Sequence, residues 1–195
     1  MPLVGIAKMA AESAPLEQKK RVAYLEIPAR SYLGACSGSR KIFDWAVNPY
    51  RGCEYGCRYC YARYTHEFME LTAADFETRI FAKQWDAHQF RREIRKVTPG
   101  QVVAFGTATD CYQPAERRYL RMRRMLAALL DGVEGVTIAI TTKSDLVARD
   151  ADLLGPLARR NDVRVNLTIT TVDETLARKL EPYAPRPELR LDAMR

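Results

Sequence analysis

The sequence has 195 residues, of which 47% are hydrophobic, and carries a formal net charge of +7. This length and composition fit one globular domain with a substantial core and exclude an intrinsically disordered chain. No run of about 18 apolar residues could span a membrane, and residues 1–21 lack the apolar stretch of a secretory signal. We therefore expect a cytoplasmic protein with no membrane partner. The positive charge permits an anionic partner such as nucleic acid but does not require one.

The first part of the chain carries few periodic signals. Residues 1–20 are rich in Ala, Lys and Glu and are expected to form a frayed tail. The segment 31–41, SYLGACSGSRK, is typical of a loop because it is rich in Gly and Ser. We predict an N-terminal extension and loop over residues 1–40 and the main domain over residues 41–195.

A dense group of cysteines follows a short apolar run at residues 43–47. The segment 48–63, NPYRGCEYGCRYCYAR, places Cys53, Cys57 and Cys60 within eight positions. A structural zinc site takes four ligands and a disulfide takes two, so three neighbouring thiolates leave one coordination position open. Three thiolates could hold a 4Fe–4S cluster and leave one iron without a protein ligand. The alternative is a Cys3His zinc site completed by His66, at a spacing close to that of zinc fingers.

Beyond the cysteines, strand-like segments alternate with helical ones. Short runs rich in Val, Ile and Thr predict strands at 101–107, 135–142 and 162–171. The predicted helices are 59–71, 114–132, 144–160 and 173–181, with a further helix starting at Pro187. This alternation is typical of an α/β fold with a parallel sheet. With the first strand at 43–47, the chain holds about four βα units, half of the eight in a complete barrel, so we predict a partial parallel (β/α) barrel.

The cysteine spacing and several separate segments resemble a known family. Cys-x3-Cys-x2-Cys with Tyr59 before the last cysteine is similar to the motif of the radical SAM superfamily. The segments GTATDCYQPAE (106–116), TTKSDLVARDADLL (141–154) and KLEPYAPRPELRLDAMR (179–195) resemble its spore photoproduct lyase-like branch, which includes DNA-repair-photolyase-like proteins. The resemblance runs from about residue 22 to the end of the sequence.

The resemblance implies two cofactors, a 4Fe–4S cluster held by Cys53, Cys57 and Cys60, and S-adenosylmethionine (SAM). The open iron would bind the amino and carboxylate groups of SAM. An electron from a donor such as flavodoxin or ferredoxin would then break a carbon–sulfur bond, giving methionine and a 5′-deoxyadenosyl radical. That radical would abstract hydrogen from a substrate carbon. The substrate is left open, with nucleic acid as one candidate, and no catalytic residue is assigned.

The same resemblance places SAM contacts at the carboxyl ends of the predicted strands, where parallel α/β folds bind ligands. It implies that the Tyr59 backbone lies near the adenine and that Lys143 lies near the SAM carboxylate. The other implied contacts are Gly106, Thr107, Thr109, Asp110 and Thr168. For Asp110 the alternative is a structural role as the cap of the following helix.

The sequence also departs from the lyase. The lyase has a cysteine that returns a hydrogen atom to the substrate radical, and Thr107 occupies its place here. A hydroxyl O–H bond is too strong for that donation, so repair of spore photoproduct is not expected. Full-length relatives continue past the final RLDAMR, and we therefore expect a chain truncated at the C-terminus.

Two alternatives to a radical enzyme stay open. One is a truncated, non-catalytic paralogue, and the other is a zinc-dependent nucleic-acid-binding module. The basic segments 91–96 and 117–124 could follow a phosphate backbone or could form a solvated outer face.

Overall fold

The computed structural model describes residues 2–39 and 41–195, and within this part of the chain nine strands form two sheets. The strands are β1 (Ala14–Gln18), β2 (Ala23–Ile27), β3 (Leu33–Ala35), β4 (Trp45–Val47), β5 (Tyr50–Arg51), β6 (Arg79–Lys83), β7 (Val102–Phe105), β8 (Thr137–Thr142) and β9 (Asp162–Leu167). The α-helices are α1 (Gly5–Ala11), α2 (Ala87–Ile94), α3 (Glu116–Tyr119), α4 (Arg121–Leu129), α5 (Ala151–Ala158), α6 (Glu174–Leu180) and α7 (Pro187–Asp192). The 3-10 helices are η1 (Tyr61–Met69), η2 (Ala73–Glu77) and η3 (Asp145–Asp150).

The larger sheet has the strand order β3-β4-β7-β8-β9. Strands β4, β7, β8 and β9 run parallel, and β3 pairs antiparallel with β4. Helices lie between successive parallel strands, as right-handed βα connections require. The α/β class is confirmed, while closure of this sheet into part of a barrel stays a prediction.

Alternate residues of the larger sheet serve its two faces. Val103, Phe105, Ile138 and Ile140 are at most 1% exposed and form the main apolar core together with side chains of α2, α4 and α5. Since side chains of a strand alternate between faces, Ala104 and its neighbours point to the other side. The helices therefore cover one face of the sheet.

The smaller sheet has the order β1-β2-β6-β5, with β2 and β6 parallel and both outer strands antiparallel. The expectation of a frayed tail over residues 1–20 is wrong, because α1 and β1 lie there. Strand β1 is mostly exposed and lacks apolar alternation, so its sequence gave no strand signal. The division at residue 40 stays a prediction, although β2 and β3 pair with strands of the main domain.

Two predicted helices differ in detail. The segment predicted as one helix over 114–132 is divided at Leu120, which has a left-handed φ of 53°. The Glu116 carboxylate explains the break, since it accepts hydrogen bonds from the backbone N–H groups of Met122 (2.9 Å) and Arg123 (3.0 Å) at the start of α4. The segment 59–71 folds as the 3-10 helix η1.

Candidate functional site

A cavity of about 580 Å³ lies against the face of the larger sheet that the helices leave open. This volume falls in the range of about 300–1,000 Å³ that is usual for ligand pockets. The cysteine loop forms one wall, and the open face of β7, β8 and β9 together with the residues after their ends forms the other. All the sequence-predicted site residues line this cavity: Cys53, Cys57, Tyr59, Cys60, Gly106, Thr107, Thr109, Asp110, Lys143 and Thr168.

The cysteine loop begins where β5 ends, and a glycine makes its first turn. Gly52 has a φ of 81°, and a Cβ there would lie 2.8 Å from the Phe76 carbonyl oxygen. The same carbonyl accepts a hydrogen bond from the Cys53 backbone N–H at 2.8 Å. A second turn brings Cys60 back, because its N–H donates to the Cys57 carbonyl at 3.2 Å. Only glycine fits the first turn without strain.

Gln113 holds the loop from the other side, and sequence reasoning assigned it no role. Its side chain is fully buried, donates to the Gly52 carbonyl at 2.9 Å and accepts from the Glu54 N–H at 3.1 Å. Asn48 acts similarly on the strand-end wall, accepting from the Ala108 N–H at 2.9 Å. Both residues lie in segments that resemble the family. A single sequence, however, does not distinguish these amides from polar side chains on the surface.

The thiols are largely withdrawn from water. Cys53 and Cys57 are each 8% exposed, and Cys60 is partly exposed. Desolvation raises the pKa of Cys53 well above its ordinary value and that of Cys57 to about 11. Buried thiols of this kind ionise at neutral pH when a metal centre supplies the compensating positive charge.

The position of His66 does not favour the Cys3His zinc alternative. His66 is fully buried in the chain interior, where its Nε2 lies 3.1 Å from the Arg79 carbonyl oxygen and its ring packs on Phe76. It does not line the cavity that the cysteines share. Among residues 2–39 and 41–195, no group of three or more His, Cys, Asp or Glu side chains is arranged to hold one metal ion. A cluster of several irons differs in this respect, since its thiolates bind separate irons.

Neighbouring protein groups hold the side chains of the loop after β7. The Thr107 hydroxyl accepts from the Asn48 amide at 2.9 Å, and the Thr109 hydroxyl points to the Tyr50 carbonyl at 3.5 Å. Gly106 has a φ of 81°, and a Cβ there would clash with the Thr141 carbonyl. The close approach of β7 and β8 therefore explains this glycine.

Asp110 joins the ends of two strands. Its carboxylate accepts hydrogen bonds from the Thr142 hydroxyl (2.7 Å), the Lys143 N–H (2.7 Å) and the Tyr112 N–H (2.9 Å). Desolvation raises the pKa of this carboxyl, and the hydrogen bonds oppose that rise. A carboxylate offers about four acceptor positions, so one remains for a ligand.

Lys143 supplies a cation at the mouth of the cavity. Its ammonium lies 5.7 Å from the centre of the Tyr59 ring and 4.0 Å from Glu181 Oε1. Desolvation would lower the pKa of Lys143, but the groups around it, Cys57 first and then Tyr59 and Glu181, raise it overall. The ammonium is therefore charged at neutral pH.

The other cysteines and the arginines of the segment 117–124 do not line the cavity. Cys111 is fully buried in the main core, and Cys36 lies outside the cavity. Arg118, Arg121 and Arg123 pair with carboxylates, those of Arg121 and Arg123 at 2.6 and 2.7 Å. This pairing favours ion pairs within the protein over contacts with a phosphate backbone as the role of these arginines.

Comparisons with known proteins identify the family that this chain resembles. The family model for the radical SAM superfamily matches residues 47–195. Uncharacterized proteins of Mycobacterium bovis and Mycobacterium tuberculosis are each 35% identical over 173 residues, covering 87% of this chain and 50% of the relative. An uncharacterized protein of Methanocaldococcus jannaschii is 27% identical over 184 residues, covering 94% of this chain and 61% of the relative. No solved structure matches significantly.

The fold and the site define an α/β protein with a three-cysteine loop beside the strands of a parallel sheet. The chain belongs to the radical SAM superfamily. Members of this superfamily typically bind a 4Fe–4S cluster and SAM. The chain spans about half the length of its mycobacterial relatives. None of the helices in the described residues is both long and apolar enough to cross a membrane.

Proposed function

We propose that this chain is a radical SAM protein of the spore photoproduct lyase-like branch, with a partial-barrel sheet. In this proposal Cys53, Cys57 and Cys60 hold a 4Fe–4S cluster, and SAM binds beside it in the cavity. The observation that carries the proposal is that three thiols and the strand-end residues assigned to SAM line one cavity. Nothing in the sequence order alone requires Cys53 and Thr168 to face the same space.

The residues present fit the implied group. Three thiols on one loop match the donor set of a cluster with one open iron, and the loop glycines keep the backbone close around it. When bound and reduced, the cluster supplies the electron that cleaves SAM to a 5′-deoxyadenosyl radical. Apolar side chains of Tyr55, Ala62, Ala104 and Ala108 line the same cavity and limit the access of water.

The chain's own groups suit the two charged ends of the methionyl part of SAM. The Lys143 ammonium attracts its carboxylate, and the remaining acceptor position of Asp110 attracts its ammonium. The Thr109 hydroxyl points to the Tyr50 carbonyl, whereas the Thr107 hydroxyl accepts one hydrogen bond and keeps its own O–H, which can donate to the ligand. Tyr59, Gly106 and Thr168 complete the assigned contacts.

The substrate is proposed only by class. Nucleic acid is the candidate that the branch resemblance suggests, and activity on it is a property of the whole protein. Thr107 stands where the lyase has its hydrogen-donating cysteine, so DNA carrying spore photoproduct should give no turnover. Repair of such DNA at a rate above a cluster-free control would contradict this expectation.

Anaerobic reconstitution tests the proposal. Iron, sulfide and zinc are counted, and electron paramagnetic resonance spectra of the reduced protein are recorded before and after adding SAM. We expect about four irons per chain and a spectrum that SAM changes. Cys57→Ser should lose the cluster, whereas Cys36→Ser, outside the cavity, should keep it. Zinc without iron in the wild-type protein would overturn the proposal.

A further inference from the structure

A buried ion pair lies next to Tyr59 and Lys143, two residues that line the cavity. Glu181, just after α6, is 2% exposed, and Arg190, within α7, is 1% exposed. Arg190 Nη1 lies 2.6 Å from Glu181 Oε2. Buried charges cost desolvation energy that a structural contact alone seldom recovers, so such a pair prompts the question of what it does.

Arg190 ties the pair to the wall of the cavity. Its guanidinium donates to the Thr168 carbonyl at 2.9 Å and twice to the Pro185 carbonyl, at 2.7 and 3.0 Å. The Arg190 fork therefore fixes one oxygen of Glu181 beside the end of β9. The other oxygen does not contact Arg190 and is available to other groups.

The other oxygen, Oε1, lies near one residue from each wall of the cavity, Tyr59 and Lys143. Glu181 Oε1 accepts hydrogen bonds from the Tyr59 hydroxyl and from the Thr170 hydroxyl, the latter at 2.7 Å. It also lies 4.0 Å from the Lys143 ammonium. One carboxylate oxygen thus contacts the residue before Cys60 on the loop and the cation that ends β8.

We infer that Glu181, anchored by Arg190, is a positioning residue that fixes the Tyr59 side chain and the Lys143 ammonium relative to each other. Lys143 has a flexible four-carbon stem and Tyr59 is half exposed, so neither would hold one place unaided. The inference rests on the proposed function, because it takes Tyr59 and Lys143 as SAM contacts. It adds a residue to which no role was assigned.

A double-mutant cycle of Tyr59→Phe and Glu181→Gln tests the inference. The affinity for SAM is titrated on the reconstituted full chain without reductant, so that no turnover contributes. Each single variant should weaken SAM binding about tenfold, the equivalent of one lost hydrogen bond. The loss in the double variant should be smaller than the sum of the two single losses, because both substitutions disturb the contact between Tyr59 and Glu181. Iron content should stay at the wild-type level.

Glu188→Gln is the matched control, since Glu188 lies exposed on α7 two residues from Arg190. Its affinity for SAM should equal that of the wild type. If Glu181→Gln does not fold, Tyr59→Phe and Thr170→Val each remove a donor to Glu181 and leave the ion pair intact. Both should weaken SAM binding, and both should do so with full iron content.

The outcomes separate this inference from the proposed function. Variants that bind SAM as tightly as the wild type, with only a lower unfolding midpoint, make the pair purely structural and overturn the inference alone. Additive losses in the double variant would also overturn it. A wild-type protein that takes up no iron or binds no SAM overturns the proposed function before any variant is made.

Discussion

The two sheets of this protein contribute to the same cavity in different ways. The larger sheet brings three parallel strand ends to one edge, and its buried face is built from residues such as Phe105 and Ile140. None of the proposed SAM contacts lies at the end of a strand of the smaller sheet. The cysteine loop, however, directly follows its strand β5. Its strand β2 supports that loop, since the Tyr24 hydroxyl donates to the Glu54 carboxylate at 2.5 Å.

This difference separates two kinds of contribution. The larger sheet buries apolar side chains. The free energy that this burial contributes is roughly proportional to the buried area and depends little on exact geometry. The smaller sheet supplies directed hydrogen bonds and close backbone contacts, which are specific in geometry. We therefore expect substitutions in the larger sheet to act mainly on stability and those at the smaller sheet to act mainly on the placement of the cysteines.

The largest effect on stability is expected for Ile140→Ala in the core of the larger sheet. Ile140 is fully buried, and truncation should lower the free energy of unfolding by about 2–5 kcal/mol through lost burial and a cavity. Urea denaturation measures this loss. Thr141→Ala, on the opposite and exposed face, is the control and should change the free energy of unfolding by about 0.5 kcal/mol or less. Equal losses at both positions would remove the distinction between the two faces.

A smaller effect on stability but a larger one on the site is expected for Gly52→Ala. The positive φ alone costs about 1–3 kcal/mol, and the new Cβ would lie 2.8 and 2.9 Å from the Phe76 and Arg79 carbonyl oxygens. The turn before Cys53 must then shift, so iron uptake on reconstitution should fall.

Gly100→Ala is its control. Gly100 has a φ of 84° but no atom within 4 Å of an added Cβ, so it isolates the backbone strain from the contact. It should lose stability and keep full iron content. An equal loss of iron in both variants would mean that the contact with the smaller sheet does not place the cysteines.

The last expected effect appears only above about pH 8 and concerns Lys83 at the end of β6. Desolvation, followed by the charge of Arg51, lowers the pKa of Lys83 to about 8. In the unfolded chain a lysine titrates near pH 10.4, so between these values the unfolded state binds a proton that the folded state has lost. The contribution of Lys83 to stability should therefore rise with pH from about 8 to 10, by at most about 1.4 kcal/mol per pH unit.

Denaturation curves across this pH range compare the wild type with Lys83→Met. The variant should lack the rise, whereas Lys96→Met, exposed at the end of α2, should keep it. A variant curve parallel to that of the wild type would show that Lys83 is not the group responsible.

The larger sheet and much of the site could be predicted from local signals. Apolar runs identified β4, β7, β8 and β9 to within a few residues. Ser144 caps η3 by accepting a hydrogen bond from the Leu146 N–H at 3.2 Å, another local feature. The cysteine spacing singled out the loop. These features depend on residues near one another in the chain, and such signals survive in a single sequence.

The smaller sheet could not be predicted, for a physical reason. Strands β1 and β2 contain charged residues, and β2 pairs with β6 across more than fifty residues of chain. The stability of such strands comes from their partners and not from their own composition. The 3-10 form of η1 was not predicted either. The break at Leu120 is local, since the Glu116 carboxylate binds the N–H groups of Met122 and Arg123, but no periodic pattern marks it.

The sequence by itself determined the α/β class, the three thiols and the family to which they belong, because these rest on spacing and local composition. Tertiary structure alone decided that His66 faces the interior, that Gln113 holds the loop and that Glu181 meets both walls of the cavity. Each of these depends on where a side chain points after segments far apart in sequence have packed together. No local pattern encodes that direction.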